Sequence, residues 1–357
     1  MFYRIADLTL DSQLALPSFA AFACQPGVPD VTLTRTEERP PAGEEIVSGD
    51  IVHRVLPDGW FCHAPDSGED GLLVSGDYTR LRSVGPGDAG AERFVRLALE
   101  CLLIRRGYVS LHAAAVETDG AAYVFTGPSG MGKSTRAKAW MRAMDARLIS
   151  GDRPLIRLDG LELFGVPWDG KEQCFRSVRY PLKAICEIRR ADAVRVQALS
   201  FSQRLRLLAR QCFVPMWDTE TAAVLMRNIF RLASSANIVR AFCGPAEKDA
   251  LALRAAIDQN NYLKEETDMK AKSGFVLRNV VGEYMLMPTG ENVSTFKGTV
   301  LLNAVSAFIW KKLQSPQTRD ELLQAVLQAF DIDEATAAAD LDALLEKLNS
   351  FELLENE

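Results

Sequence analysis

The sequence predicts an α/β chain in three parts: a small β-rich domain, an α/β core, and a compact C-terminal domain of three strands and three helices. Three observations carry that prediction. The first is the glycine-rich run "FTGPSGMGKSTRAKAW", residues 125–140, between a strand-like and a helix-like segment. The second is a change of texture near residue 93, from short β-leaning runs to apolar residues at helical spacing. The third is "DQNNYLKEETDMKAKS", a polar stretch without apolar periodicity that sets the last part off from the rest.

Each element follows from local pattern. Residues 1–92 carry "DVTLTR", "EIVSGDIVHRVL", "GWFCHA" and "GLLVSG", separated by Pro, Gly and Asp, and these read as a small antiparallel β domain. Residues 93–257 form the core. "ERFVRLALECLLIRRG" is a helix stopped at Gly107, followed by strands "YVSLHAAAVE" and "AAYVFTG", the glycine-rich loop and helix "KSTRAKAWMRAM". Strand "RLISGD", hairpin "LIRLDGLELFG" and strand "PLKAICEIRR" come next, and then a helical tail covering "SFSQRLRLLARQCF", "DTETAAVLMRNIFRLASS" and "AEKDALALRAAIDQ". Residues 258–272 are assigned to a linker. Residues 273–357 hold strands "GFVLRNVVG", "EYMLMPTG" and "GTVLLN" and helices "AVSAFIWKKL", "TRDELLQAVLQAF" and "EATAAADLDALLEKLNSFELL". The last helix has an apolar stripe at 341, 344, 345, 348 and 351, with Asp333 as its N-cap.

Composition narrows the function classes. The 357 residues are 48% hydrophobic and 25% charged, ordinary values for a globular protein. A net charge of -6 argues against a general nucleic-acid binder, which needs a basic face. "MFYRIADLTL" lacks the basic and apolar regions of a secretory signal, and no run approaches the ~20 apolar residues that span a bilayer. The 7 cysteines contain no C-x-x-C pair and read as reduced thiols. His53, His63 and His112 are too dispersed to suggest a metal cluster. The expectation is a cytoplasmic protein with no nucleic-acid or membrane partner.

Gly127, Gly132, Lys133 and Ser134 complete the pattern G-x-x-x-x-G-K-[ST]. Such a loop turns backbone N–H groups toward phosphates, and the helix that follows presents its positive end to the same anion. Gly127, Ser129, Gly130, Met131, Gly132, Lys133, Ser134 and Thr135 are therefore the nucleotide-binding candidates, with Lys133 toward the β- and γ-phosphates and the Ser134 hydroxyl on Mg²⁺. ATP is the expected nucleotide, with GTP left open. Asp152, ending "RLISGD", is the candidate for metal or nucleophile, since ligands of α/β sheets bind at the carboxyl ends of strands; the alternative is a turn Asp in "GDRP". Glu172, in "GVPWDGKEQCF", reads either as a metal-side carboxylate or as a solvated hairpin tip. Arg176 and Arg179 are candidates to steady a phosphoryl group or are simply solvated.

"SLHAAAVE…AAYVFTGPSGMGKSTRAKAWMRAMDARLISGD" resembles the core of HPr kinase/phosphorylase-like proteins, over roughly residues 95–257. That resemblance implies a P-loop fold related to phosphoenolpyruvate carboxykinase and a kinase that phosphorylates a serine hydroxyl of a protein or peptide. It implies His112 near the active site and Asp152 as the base that takes the acceptor's proton. His112 otherwise reads as a packed histidine on a half-buried strand. The sequence departs from the family's main branch, which has two adjacent aspartates where this chain has Gly151-Asp152, and this leaves the reverse, phosphorylase direction open.

Residues 273–355, best in "VSTFKGTVLLNAVSAFIWKKL" with its aromatic pair Phe308 and Trp310, resemble PqqD-like domains. These are winged-helix recognition elements of pathways that make ribosomally synthesised, post-translationally modified peptides. The resemblance implies that a precursor's leader adds as a strand along Thr299, Val300, Leu301 and Leu302 and packs on Asp340, Leu344 and Lys347. A DNA-binding winged helix is the competing reading, disfavoured by the acidic 331–357 segment, and a dimerisation domain is another. Together the two resemblances imply a peptide kinase, a phosphotransferase using ATP and Mg²⁺. The alternative is a nucleotide-gated chaperone that delivers the precursor to other modifying enzymes. A small-molecule kinase with a regulatory tail, and a homo-oligomer, remain compatible with the sequence.

Overall fold

Short β-branched runs between turn residues fold into strands and the helical periodicities fold into helices, with the first eight strands preceding the first α-helix. The structure, a computed structural model, describes residues 1–67, 70–85, 91–168, 173–260, 262, 268–280, 283–290, 292–296 and 300–356. It divides into two units, Met1–Lys264 and Glu265–Glu357.

The first unit opens with β1 (Phe2–Ile5), β2 (Leu8–Ser12), β3 (Val31–Thr36), β4 (Glu45–Ser48), β5 (Ile51–Leu56), β6 (Gly59–His63), β7 (Gly71–Ser75) and β8 (Arg80–Val84). They lie in the order β1-β2-β3-β8-β7-β6-β5-β4. The sheet is mixed, not antiparallel as expected: β3 runs parallel to both β2 and β8. A parallel pair needs a long crossover, and residues 13–30 supply one, carrying a 3-10 turn (Pro17–Phe22) that buries Phe19 and Phe22. Leu10, Leu33 and Leu81 on the sheet share one core with Phe94, Val95 and Leu99 of α1 (Ala91–Arg105). Residues 1–92 are therefore not a separate domain, because each of these apolar faces is covered by the other.

The remainder of this unit runs β9 (Tyr108–Ser110), β10 (Ala113–Thr118), β11 (Ala121–Thr126), α2 (Lys133–Met144), β12 (Arg147–Ser150), β13 (Leu155–Arg157), β14 (Glu162–Phe164), β15 (Arg179–Arg190), β16 (Arg195–Ala198), α3 (Phe201–Gln211), α4 (Thr219–Ser235), β17 (Ile238–Cys243) and α5 (Glu247–Asp258). β11 lies between β10 and β15, β12 flanks β10, and β17 lies parallel beside β15. Side chains alternate across the sheet. Val124 and Ile185 pack under Leu208, Leu225 and Ile229 of α3 and α4; Phe125 and Cys186 pack under Trp140 and Leu253 of α2 and α5.

Two sequence expectations change here. "YVSLHAAAVE" is not one strand: it breaks at Leu111–His112, with β9 pairing to β13 and β10 to β11 and β12. The tail read as helical contains β17, whose residues are all buried; a strand covered on both faces shows no alternation to read.

The second unit holds β18 (Met269–Ala271), β19 (Phe275–Val280), β20 (Glu283–Pro288), α6 (Asn292–Thr295), β21 (Val300–Leu302), α7 (Ala304–Lys312), α8 (Arg319–Ala329), α9 (Glu334–Ser350) and β22 (Leu354–Asn356). β19, β20 and β21 form one antiparallel sheet and β18 pairs with β22. β18 lies inside the stretch assigned to the 258–272 linker, and Asp258 still belongs to α5, so both ends of that stretch are built into the units. Asp333 caps α9 as expected, accepting from the Thr336 N–H at 3.0 Å. Leu341, Leu344 and Leu348 of its stripe are buried, whereas Phe351 lies beyond the helix and is 44% exposed. Trp310 is buried, but Phe308 is only partly so and packs edge-on against Phe330.

Candidate functional site

The loop between β11 and α2 is shaped by residues only glycine tolerates well. Gly132 precedes the helix at φ 90° and Gly127 leaves the strand at φ 141°, both on the side of the map that side chains avoid. No side chain caps α2 at Gly132 and its first turn carries no acidic residue, so the positive end of the helix is open to an anion. Lys133, the first helical residue, folds its ammonium back to donate to the Gly127 carbonyl at 3.0 Å. Its charge therefore lies across the mouth of the loop. Ser129, Gly130 and Thr135 are exposed and Met131, Gly132 and Ser134 half-buried, so the candidate residues line an accessible rim. The sequence gave no sign of Arg190, at the end of β15, which donates to the Gly130 carbonyl at 2.6 Å. Nor did it mark Arg136, a buried arginine bonded to the Cys243 carbonyl at 2.5 Å. Both bridges join segments remote in sequence, beyond the reach of local pattern.

Asp152 and His112 come to the same place. Asp152 lies just past β12, and its Oδ1 is buried with no hydrogen-bond partner among the described residues. His112 occupies the break between β9 and β10, where its N–H donates to the Gln211 carbonyl at 2.8 Å and its carbonyl accepts from Thr126 Oγ1 at 3.0 Å. It is thus a half-buried histidine in a strand break and not a core residue of a continuous strand. Burial holds its imidazole below the ordinary range, and the Lys133 charge adds to this, while Asp152 opposes it. Burial likewise lowers the Lys133 ammonium, with Asp152 pulling it back up. Lys133, Asp152 and Arg153 thus all lie close enough to His112 to act on its charge, the two cations lowering it and the carboxylate raising it.

The donor set fits a nucleotide's phosphates and a hard cation. Open first-turn N–H groups and an ammonium suit the phosphate chain, and the Ser134 hydroxyl with the unpartnered Asp152 oxygen are the hard oxygen ligands magnesium takes. Glu172, the other proposed metal ligand, lies outside the described residues. No group of three or more His, Cys, Asp and Glu side chains that could hold a metal ion gathers among the described residues, at this loop or away from it. Arg176 is not directed to a phosphoryl group; it donates to the Leu148 carbonyl at 2.6 Å. The close Cys62–His53 pair, 3.3 Å apart, is no nucleophile dyad, because burial pushes the Cys62 thiol up to about 12. No helix among the described residues is long and apolar enough to cross a membrane.

In the second unit, β21 is an edge: it pairs with β20 (Met285 opposite Leu301) and with no other strand among the described residues. Val300 and Leu302 point into the core, so the alternation turns Leu301 outward, 56% exposed. Beside this edge lies a groove of about 340 Å³ whose walls include Leu301, Leu302, Asp340, Leu344 and Lys347. The structure therefore brings together the residues expected to hold a leader, apart from Val300, which faces inward, and Thr299, which lies outside the described residues.

The family model locates a known domain in the C-terminal region. Residues 283–354 match the family model of PqqD, coenzyme PQQ synthesis protein D. Among solved structures the chain is similar to TbiB1 in complex with the TbiA(beta) leader peptide, with 27% identity over 24% of this chain and 94% of that one, at a TM-score of 0.21. No curated protein matches the chain.

Proposed function

We propose that this protein is an ATP-dependent kinase that phosphorylates a serine hydroxyl of a ribosomally made precursor peptide, whose leader its second unit captures. The observation that carries the proposal is the presence in one chain of a phosphate-type loop beside an unpartnered buried carboxylate oxygen and an open strand edge beside a groove. The PqqD match supports the peptide-binding half. A leader strand would gain backbone hydrogen bonds along β21, and side-chain selectivity would come from the groove.

In the transfer, Asp152 takes the proton of the acceptor hydroxyl as that oxygen bonds to the γ-phosphorus. The bond from phosphorus to the bridging oxygen breaks, and its electron pair leaves on the diphosphate. Lys133 and the α2 N-terminus hold the phosphate chain in line and offset its charge, so the work is positioning and electrostatics. Ser134 and Asp152 would hold magnesium, which would supply further neutralisation of the phosphate charge. His112, held toward the neutral form, would orient the acceptor by a hydrogen bond.

The test is intact-mass measurement of precursor peptides incubated with the protein and Mg-ATP. A gain of one phosphoryl group, absent with Lys133→Ala and with Asp152→Ala, is the expected result. Peptides that bind but never change mass would rule out transfer to them. The reading left would be a nucleotide-gated peptide carrier, which the single carboxylate of Gly151-Asp152 favours.

A further inference from the structure

Arg153 is the least comfortable residue of the described site. Its backbone adopts φ 52° although it has a side chain, and it is followed by Pro154, which further restricts the residue before it. Such a conformation is strained and persists only where surroundings enforce it. The guanidinium lies over the Phe213 ring, its central carbon 5.4 Å from the ring centroid. The Trp168 indole donates to the Arg153 carbonyl at 3.3 Å and fixes the peptide behind it. Held in this way, the side chain leaves its Nη1 buried and without a hydrogen-bond partner among the described residues. The neighbouring Asp152 leaves Oδ1 in the same condition, and the two form no ion pair with each other. One buried donor atom and one buried acceptor atom of these charged side chains, adjacent in sequence and both unsatisfied, each cost stability.

What would satisfy both is a tetrahedral anion undergoing attack. Its oxygens accept from the guanidinium fork, and the attacking hydroxyl gives its proton to the carboxylate. We infer that Arg153 forms the subsite for the terminal phosphoryl group, opposite Lys133, and that it distinguishes a nucleoside triphosphate from the diphosphate. The inference rests on the nucleotide reading of the loop and adds a residue that the motif does not contain. Arginine suits the role because its planar donors match phosphate oxygens and its charge is permanent. The fixed turn before Pro154 and the ring beneath place the fork without a further loss of freedom on binding.

The experiment is calorimetric titration of Mg-ATP and Mg-ADP into the whole protein and into Arg153→Met, with the melting temperature of each nucleotide-free protein. The wild type is expected to bind both. The variant should lose about tenfold or more in ATP affinity, the size of one charge-assisted hydrogen bond, while ADP affinity holds. Its nucleotide-free melting temperature should be equal or higher, since an unsatisfied buried donor has been removed. Equal losses for ATP and ADP, no loss for either, or a lowered melting temperature would overturn the role and make Arg153 a packing residue on Phe213. If the wild type binds neither nucleotide, the loop reading fails and this inference with it. Should Arg153→Met not fold, Arg153→Lys, which keeps the charge without the fork, decides by the same comparison.

Discussion

A carboxylate oxygen buried without a partner serves chemistry better than stability, and Asp152 is such a group. Asp152→Asn keeps the shape and removes the base. It should lower phosphoryl transfer by about a hundredfold or more while Mg-ADP still binds, measured as single-turnover rates beside titration. Position alone singled out Asp152 in the sequence, as an acid at a strand's end one helix after the glycine-rich loop. Arg153 beside it was not legible, because its strain and its unpaired donor depend on Phe213, sixty residues away in sequence. His53 is a second residue whose role is conformational. It stacks on Trp217 at 3.6 Å, and burial, with His63 nearby, lowers its imidazole to about 4. An unfolded histidine titrates near 6.5, so between about 6.5 and about 4 the unfolded chain binds the extra proton. The stability contributed by the neutral ring is present in full above that window and is lost as pH falls through it, by at most roughly 3 kcal/mol. Urea midpoints from pH 7 to pH 4 should fall, and His53→Phe, stacked on the same indole, should flatten the slope; an unchanged slope in the variant would sink the assignment.

The elements that were readable announce themselves locally. The loop and α2 did so by glycine spacing and helical period, and α9 by a cap and a stripe. The break at Leu111–His112, the buried strand β17 and the pairing of β18 with β22 were not readable, since each is decided by a partner strand distant in sequence. Two element-scale predictions follow from backbone shape. Gly132→Ala sets the added carbon 2.5 Å from the guanidinium of Arg136, which is buried and held by the Cys243 carbonyl, so that side chain must shift. The φ of 90° adds strain, and the substitution should cost on the order of 1 kcal/mol or more and weaken ATP binding by distorting the first turn of α2. Melting temperature and titration together check it. At β21, Leu301→Glu leaves the core untouched because the side chain is exposed. It places a charge on the edge that a leader would pair with, and should weaken precursor binding about tenfold or more by fluorescence anisotropy, with no change in melting temperature.

At the scale of the whole molecule, a phosphate site and a peptide site on one chain gain most when a single substrate spans them. A leader captured at β21 keeps its own acceptor serine near the protein, and the second encounter becomes intramolecular, at an effective concentration that reaches about millimolar for a short flexible tether. A serine segment that binds the phosphate site only weakly by itself is then saturating once the leader is held. This gives an asymmetry that a small-molecule kinase with a tail would lack. Excess free leader should displace the full precursor and slow its phosphorylation at low precursor concentration, raising KM with little effect on kcat. The same leader should leave the slow phosphorylation of a leaderless peptide unchanged. Initial rates for the two substrates, with and without added leader, measure this directly. If leaderless and full-length peptides react equally well and free leader inhibits neither, the groove beside β21 does not deliver the acceptor, and the kinase site must recognise its substrate unaided.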